Sequence, residues 1–384
     1  MINIKKLNIL FFKLPSLFEK DIEIDLLYLD SFKIPKDKLQ RSYFQYKCQK
    51  FGKHFYIRLS NNLISIFFLF PSIFFLLLKG LFKRNLMFEE QQKNTAVHIF
   101  TGVKNIIPQG LKNEFATLEQ VSFFRNSYLK VADLSVILNL LFYVRSPFFV
   151  FKCVFKIAMY RPIIDNYYPG AIICSSEYSF TSSVLTWYCN LNEVKHINVM
   201  HGEKLLNIRD SFFVFDKCYV WDIHYVNLFK LLRADKNQFK VDTPPSLFFK
   251  KTNTKPQHKY TYYLAAQTKP QLIKIKETLS KLKIHESKIC IRPHPRYSDL
   301  SVVKKVFKMF KIEDLYEVSI EESVNNTQNV VSLYSTVLFQ SLLSGKSIVI
   351  DDISDNKKFE KLKELKYALL SKTPELLSNL LQKN

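Results

Sequence analysis

The sequence predicts an α/β protein made of two parallel-sheet halves, and three observations carry that prediction. From Gly170 onward, short apolar runs alternate with helix-like stretches. A segment rich in proline and lysine, DTPPSLFFKKTNTKPQHK (242–259), interrupts them without periodicity and reads as a linker. The same alternation restarts behind it. A chain of 384 residues has room for two domains of roughly 100 to 200 residues each. The expected division is an N-terminal domain over 1–245, carrying extra helices in a helical and apolar region near 59–165, and a C-terminal domain over 246–384.

Taken in order, the first 90 residues mix strand-like pieces, INIKKLNILFF and IDLLYL, with an apolar segment. The opening stretch has too short an apolar core, and no small-residue cleavage site, to read as a secretory signal. Leu59 to Leu78 holds no charge, and its core from Leu63 to Leu78 would measure roughly 24 Å as a helix, short of a bilayer core near 30 Å. Pro71 sits in its middle, and cations flank both ends: Lys53 and Arg58 before, Lys79, Lys83 and Arg84 after. A span, contact with an anionic membrane surface and a buried helix are all open for it. Residues 111–165 then read as helical, with LEQVSFFRNSYLKVADLSVILNLLFYV keeping apolar spacing and Pro147 marking a break before FFVFKCVFKIAMY. In that last run Phe151, Val154, Phe155 and Ala158 share one face, while Lys152 and Lys156 share another.

Behind Gly170 come strand AIIC, helix SSVLTWYCNL, strand HINVM, strands FFVF and CYVWD, and helix HYVNLFKLL. After the linker come strand YTYYLAAQ, helix KPQLIKIKETLSKLK with Pro270 in its first turn, and strand KICIRPHP. Helix VVKKVFKMF, strand YEVSI, an acidic turn at Glu321 and Glu322, and strand NVVSLYS follow. Helix TVLFQSLLS ends at Gly345, and SIVIDD is the final strand.

Composition narrows the function. Hydrophobic content of 47% and aromatic content of 15% suit a globular protein. With 7 glycines the chain has no Gly-rich phosphate loop, which argues against P-loop and dinucleotide-binding readings. A net charge of +22 implies an anionic partner: nucleic acid, an acidic membrane surface or a phosphorylated substrate. Zinc-finger spacing, an RNP-like aromatic box and a basic heptad region are all missing, so no nucleic acid is expected. The cysteines Cys48, Cys153, Cys174, Cys189, Cys218 and Cys290 form no CxxC and read as buried, reduced thiols.

Ligands of open parallel sheets bind outside the carboxyl ends of the strands. Polar residues follow predicted strand ends at Ser175, Ser176 and Glu177; at His201, Gly202 and Glu203; at Arg292, His294 and Arg296; and at Ser335 and Thr336. Ser335 and Thr336 open a helix, where hydroxyls and unpaired backbone N–H groups bind phosphate; the alternative is a helix N-cap and nothing more. His294 stands between Pro293 and Pro295, which fix its direction, with Arg292 and Arg296 beside it; it can bond a phosphate oxygen or protonate a leaving phosphate. Asp351 and Asp352 end a strand with no third ligand evident, so no metal is required.

RPHP after a strand, followed some forty residues later by SLYSTVLFQSLLSGKSIVI, resembles the C-terminal half of bacterial sialyltransferases and polysialyltransferases over roughly residues 260–350. Those are inverting GT-B enzymes: two Rossmann-type domains facing a central cleft. The resemblance implies an N-terminal acceptor-side domain and a C-terminal nucleotide-sugar domain. It matches His294 and Pro295 to the family's His-Pro motif, and Ser335 and Thr336 to its Ser-Ser/Thr motif, which hold the CMP moiety and phosphate of CMP-sialic acid. Arg292, Arg296, Gln267 and Glu321 are expected on the same donor side. The family's acidic pair followed by glycine is missing. Glu177 is the expected base, with Glu203 and His201 as alternatives, and the HG pair is similar to CDP-glycerol phosphotransferases and CMP-Kdo transferases. The implied activity is transfer of sialic acid from a CMP-activated donor to a glycan or glycolipid acceptor of capsule or lipopolysaccharide. It would need no cofactor and take place at the inner face of the bacterial cytoplasmic membrane. CMP-Kdo, CDP-glycerol or another nucleotide donor is the nearest alternative; a non-catalytic membrane- or nucleic-acid-binding protein is the more distant one.

Overall fold

In the computed structural model, residues 17–83, 93–99, 105–121, 126–143, 145–250 and 255–383 are described, so the strand expected in INIKKLNILFF lies outside them. The chain forms two compact units: Met1–His201 with Asn207–Pro244, and Gly202–Leu206 with Pro245–Asn384. Each is built on a six-stranded parallel sheet with flanking helices.

The first sheet contains β1 (Thr95–His98), β2 (Thr117–Gln120), β3 (Ala171–Cys174), β4 (Lys195–Val199), β5 (Lys217–Val220) and β6 (Phe239–Val241), in the order β2-β1-β3-β4-β5-β6. AIIC is buried at every position because helices cover both faces, which is why it reads as a continuous apolar run. Several expectations change here. IDLLYL is helical within Ile22–Asp30: Asp21 caps that helix by accepting from the N–H groups of Glu23 and Ile24 at 3.0 and 3.2 Å, and Glu23 and Asp25 occupy its positive first turn. LEQ lies in the edge strand β2, where Thr95 opposes Thr117 and their hydroxyls bond at 2.7 Å; pairing to β1 overrides the helical spacing, and the next described helix is Leu134–Leu141. FFVF is a buried loop. The Gln238 side chain does there what a ladder would, accepting from Phe215 N–H at 2.8 Å and donating to the Phe213 carbonyl at 3.1 Å.

The apolar segment is a helix of 27 residues, Phe55–Leu81, long and apolar enough to cross a membrane. Ser65, Leu69, Leu76 and Gly80 form its buried stripe, packed against the helix Pro147–Tyr167. Gly80 lets the segment at Leu129 approach, since a Cβ there would meet the Leu129 carbonyl oxygen at 1.8 Å. All six cysteines are buried and free.

The second sheet contains β7 (His258–Tyr263), β8 (Ile289–Arg292), β9 (Lys311–Ile312), β10 (Thr327–Ser332), β11 (Ser347–Ile350) and β12 (Glu375–Leu376), in the order β12-β11-β10-β7-β8-β9. The chain moves outward from β7 through β8 to β9 and then returns to the other side of β7 as β10. This reversal is the topological switch at which open sheets form a ligand crevice. YEVSI is not a strand. Its place at the edge is taken by Lys311–Ile312, and Ser319 caps the helix Ile320–Asn325, so Glu321 lies in a helical first turn. SIVIDD is followed by one further strand, β12.

Candidate active site

The loops at the carboxyl ends of β7, β8 and β10 carry the polar residues of the second unit. Pro293, His294 and Pro295 follow β8. Ser298 holds this turn, accepting from the His294 N–H at 2.8 Å and donating to the Ala265 carbonyl at 3.3 Å, so the β7 and β8 loops are tied together. The Arg296 N–H donates to Nδ1 of His294 at 3.0 Å, and the ring stacks on Tyr297 with centroids 4.5 Å apart. Partial burial, and then the Arg296 charge, push the His294 pKa down, so the neutral ring with its proton on Nε2 is favoured.

The two arginines differ. Arg292 is buried in an ion pair with Glu313, and its other nitrogen donates to the Val318 carbonyl at 3.0 Å. It braces the end of β8 and is not placed to bind an anion; Arg296 is exposed beside His294. Gln267 accepts from the Ala265 N–H at 2.6 Å and lines a cavity of about 180 Å³ with Ser298 and Asp299. Glu321 is half-buried and accepts from the Lys250 N–H at 2.7 Å.

On the other side of β7, Ser335 is the N-cap of the helix Thr336–Leu343, its hydroxyl accepting from the Val337 N–H at 3.3 Å. Thr336 is exposed at the first helical position. Because β7 separates β8 from β10, His294 and Ser335 follow strands two spacings apart, roughly 10 Å. Glu203 joins this group: residues 202–206 belong to the second unit, where the Leu206 N–H donates to the Leu365 carbonyl at 2.7 Å. Burial and then the Glu203 charge raise the Tyr334 pKa, and Tyr334 is the residue immediately before Ser335. Sequence reasoning missed Tyr334, Tyr297 and Ser298; the one signal for Ser298 was its place in a turn behind PHPRY.

HGE, read as one cluster, is divided between the units: His201 belongs to the first and Glu203 to the second. His201 is exposed, bonded through Nδ1 to the Ser175 hydroxyl, with its ring edge-on to Tyr178 at 6.4 Å. Glu177, expected to be the base, is fully buried. One of its carboxylate oxygens accepts from Asn198 at 3.1 Å, and its carbonyl accepts from Gln45 at 2.8 Å. Asp351 is also buried, accepting from the Ile353 and Ser354 N–H groups and from Tyr262, while Asp352 accepts from Ser378.

No family model and no curated protein sequence matches the chain. Among solved structures it is similar to the UDP-GlcNAc 2-epimerase from Neisseria meningitidis bound to UDP-GlcNAc (8% identity over 75% of this chain and 90% of that one, TM-score 0.44). It is similar to a glycosyltransferase from Rickettsia africae (12% identity, 76% and 96%, TM-score 0.41). It is also similar to the Anabaena protein HepE in complex with UDP and glucose (10% identity, 75% and 97%, TM-score 0.39). With identities and TM-scores this low, neither fold nor substrate is carried over from them.

Proposed function

We propose that the chain is a glycosyltransferase that uses a nucleotide-activated sugar, with the donor's phosphate held by the second unit where β7 meets β10. The observation that carries this reading is a matched pair of donors on either side of β7. One is the Nε2–H of His294, oriented by the bond at its Nδ1; the other is the capped start of the helix Thr336–Leu343, with the Ser335 and Thr336 hydroxyls beside it. A phosphate is the group such a pair suits, and +22 on the chain favours anionic substrates.

The finer reading is a CMP-sialic acid donor and an inverting reaction with a glycan or glycolipid acceptor. The acceptor oxygen forms a bond to the anomeric carbon, and the bond from that carbon to the CMP phosphate oxygen breaks, its electron pair leaving with CMP. The acceptor proton passes to a base. Of the candidates in the first unit, His201 suits that role better than the buried Glu177, because it is exposed and held by Ser175. His294, Ser335 and Thr336 meet the charge that develops on the leaving phosphate.

CMP binding to the purified full chain tests the site, and a donor panel of CMP-sialic acid, CMP-Kdo, CDP-glycerol and UDP sugars tests the donor. His294→Ala is expected to weaken CMP binding by about 10- to 100-fold, the value of a hydrogen bond to a charged group. Absence of CMP binding, or equal affinity in the variant, would overturn the reading.

A further inference from the structure

The least ordinary surface of the first unit is the helix Phe55–Leu81. Between Leu63 and Leu78 every exposed residue on it is apolar, with Phe67 at 74% and Phe74 at 70% exposure among them. Its apolar arc runs around most of the circumference, and only the stripe through Ser65, Leu69, Leu76 and Gly80 is covered. A contiguous apolar surface of this size marks an interaction site.

At the foot of the same helix is a cavity of about 460 Å³ lined by Lys47, Lys50, Lys53, His54 and Arg58, with no acidic residue in its lining. A second cavity, of about 310 Å³, shares Lys47, Lys50 and Arg58 and adds Arg145 together with Phe55 and Leu59. Lys50 is 8% exposed and has no carboxylate partner among the described residues; its ammonium lies over the Phe148 and Tyr46 rings at 4.1 and 5.5 Å. Burial and then the charges of Lys53, Arg58 and Lys152 bring the Lys50 pKa down to about 8. His54 gives the helix no side-chain cap. Several cations therefore repel one another around a cavity that opens to the surface, a situation that one anion relieves.

We propose that this basic cavity holds the phosphate head group of an anionic membrane lipid while the exposed face of the helix lies in the acyl layer. The two features adjoin: Phe55 and Leu59 line the second cavity, and their row continues at i+4 spacing through Leu63 and Phe67. The helix lies in the membrane plane and does not cross. Its buried stripe is docked at both ends, with Asn62 accepting from the Phe148 N–H at 3.4 Å and Leu76 accepting from the Leu129 N–H at 3.0 Å. The helix it docks on, Pro147–Tyr167, carries Arg161, buried in an ion pair with Asp133 that crossing would pull toward lipid. The proposal is independent of the donor site and stands or falls separately from it.

Flotation of the purified full chain with vesicles tests it. The chain is expected to float with phosphatidylcholine vesicles containing phosphatidylglycerol and not with phosphatidylcholine alone. Lys47→Gln/Lys53→Gln/Arg58→Gln should weaken partitioning by about 10- to 100-fold, on the scale of the attraction of surface cations to anionic lipid, and Lys47→Arg/Lys53→Arg should retain it. Phe67→Ser/Phe74→Ser, which changes exposed residues and leaves the cavity intact, should also lose binding. Equal binding to neutral vesicles, an unaffected triple variant, displacement by inorganic phosphate, resistance to alkaline extraction, or a dimer that does not float would each overturn the proposal.

Discussion

Arg296 donates its backbone N–H to Nδ1 of His294 at 3.0 Å, and that single bond decides what the histidine can do. With Nδ1 accepting, the neutral ring keeps its proton on Nε2 and presents a donor. The lowered His294 pKa keeps the ring neutral at pH 7. A second proton would have to sit on Nδ1 against the Arg296 N–H, so the ring meets the phosphate as a neutral donor and its contribution to affinity is expected to stay level as pH falls below neutrality. The ligand's own phosphate titrates in the same range, so the informative quantity is the difference between wild type and His294→Gln measured by calorimetry. A difference that grows as pH falls would mean that the imidazolium, and not the neutral donor, meets the phosphate.

Ser335 and Thr336 separate capping from binding. Ser335→Ala removes the acceptor for the Val337 N–H and should cost about 1 kcal/mol of stability in denaturant titrations as well as weakening nucleotide binding. Thr336→Val caps nothing and should leave stability within about 0.5 kcal/mol while weakening binding. If Thr336→Val binds nucleotide as wild type does, the start of this helix is a cap and nothing else.

His201 and Glu177 divide in the opposite sense. His201→Ala should lower kcat by about 10²- to 10⁴-fold, the usual contribution of a general base, with donor affinity unchanged. Glu177→Ala leaves Asn198 without its carboxylate partner in a fully buried site and should cost about 1–3 kcal/mol of stability. A stable Glu177→Ala protein that has lost transfer would restore Glu177 as the base.

These contrasts also mark what was legible in the sequence. Alternating apolar runs gave β3, β4, β5, β7, β8, β10 and β11, because strands buried on both faces must be continuously apolar. His294, Ser335 and His201 do lie behind β8, β10 and β4, as the strand ends place them. β1 and the edge strands β2, β6, β9 and β12 were missed: Thr117–Gln120 is mostly exposed, and Lys311–Ile312 and Glu375–Leu376 hold two residues each, so these three carry no apolar signature. The direction of Glu177 was also hidden, since a glutamate after a strand reads the same whether it faces solvent or turns under the loop to Asn198. The partner of Arg292, Glu313, lies 21 residues away on the neighbouring strand's far end, a relation fixed by sheet order and not by spacing.

His196 gives a prediction about stability. Tyr160 and Thr186 bond its two ring nitrogens at 3.0 and 2.8 Å inside the first unit, and complete burial, followed by the Lys38 charge, brings its pKa down to about 3. The unfolded chain binds a proton at an ordinary histidine pKa near 6.5, whereas the folded chain does not until about pH 3. Since the folded pKa is depressed, the contribution is complete above about pH 6.5 and is lost as pH falls through the window between the two values. The expected slope approaches about 1.4 kcal/mol per pH unit within that window. Denaturant titrations at intervals from neutral to acid pH would measure it. His196→Gln should be less stable at neutral pH, having lost one of the two bonds, yet lose less on acidification, so the two curves converge. Parallel curves would mean that His196 is protonated in the folded protein and that Tyr160 and Thr186 accommodate the imidazolium.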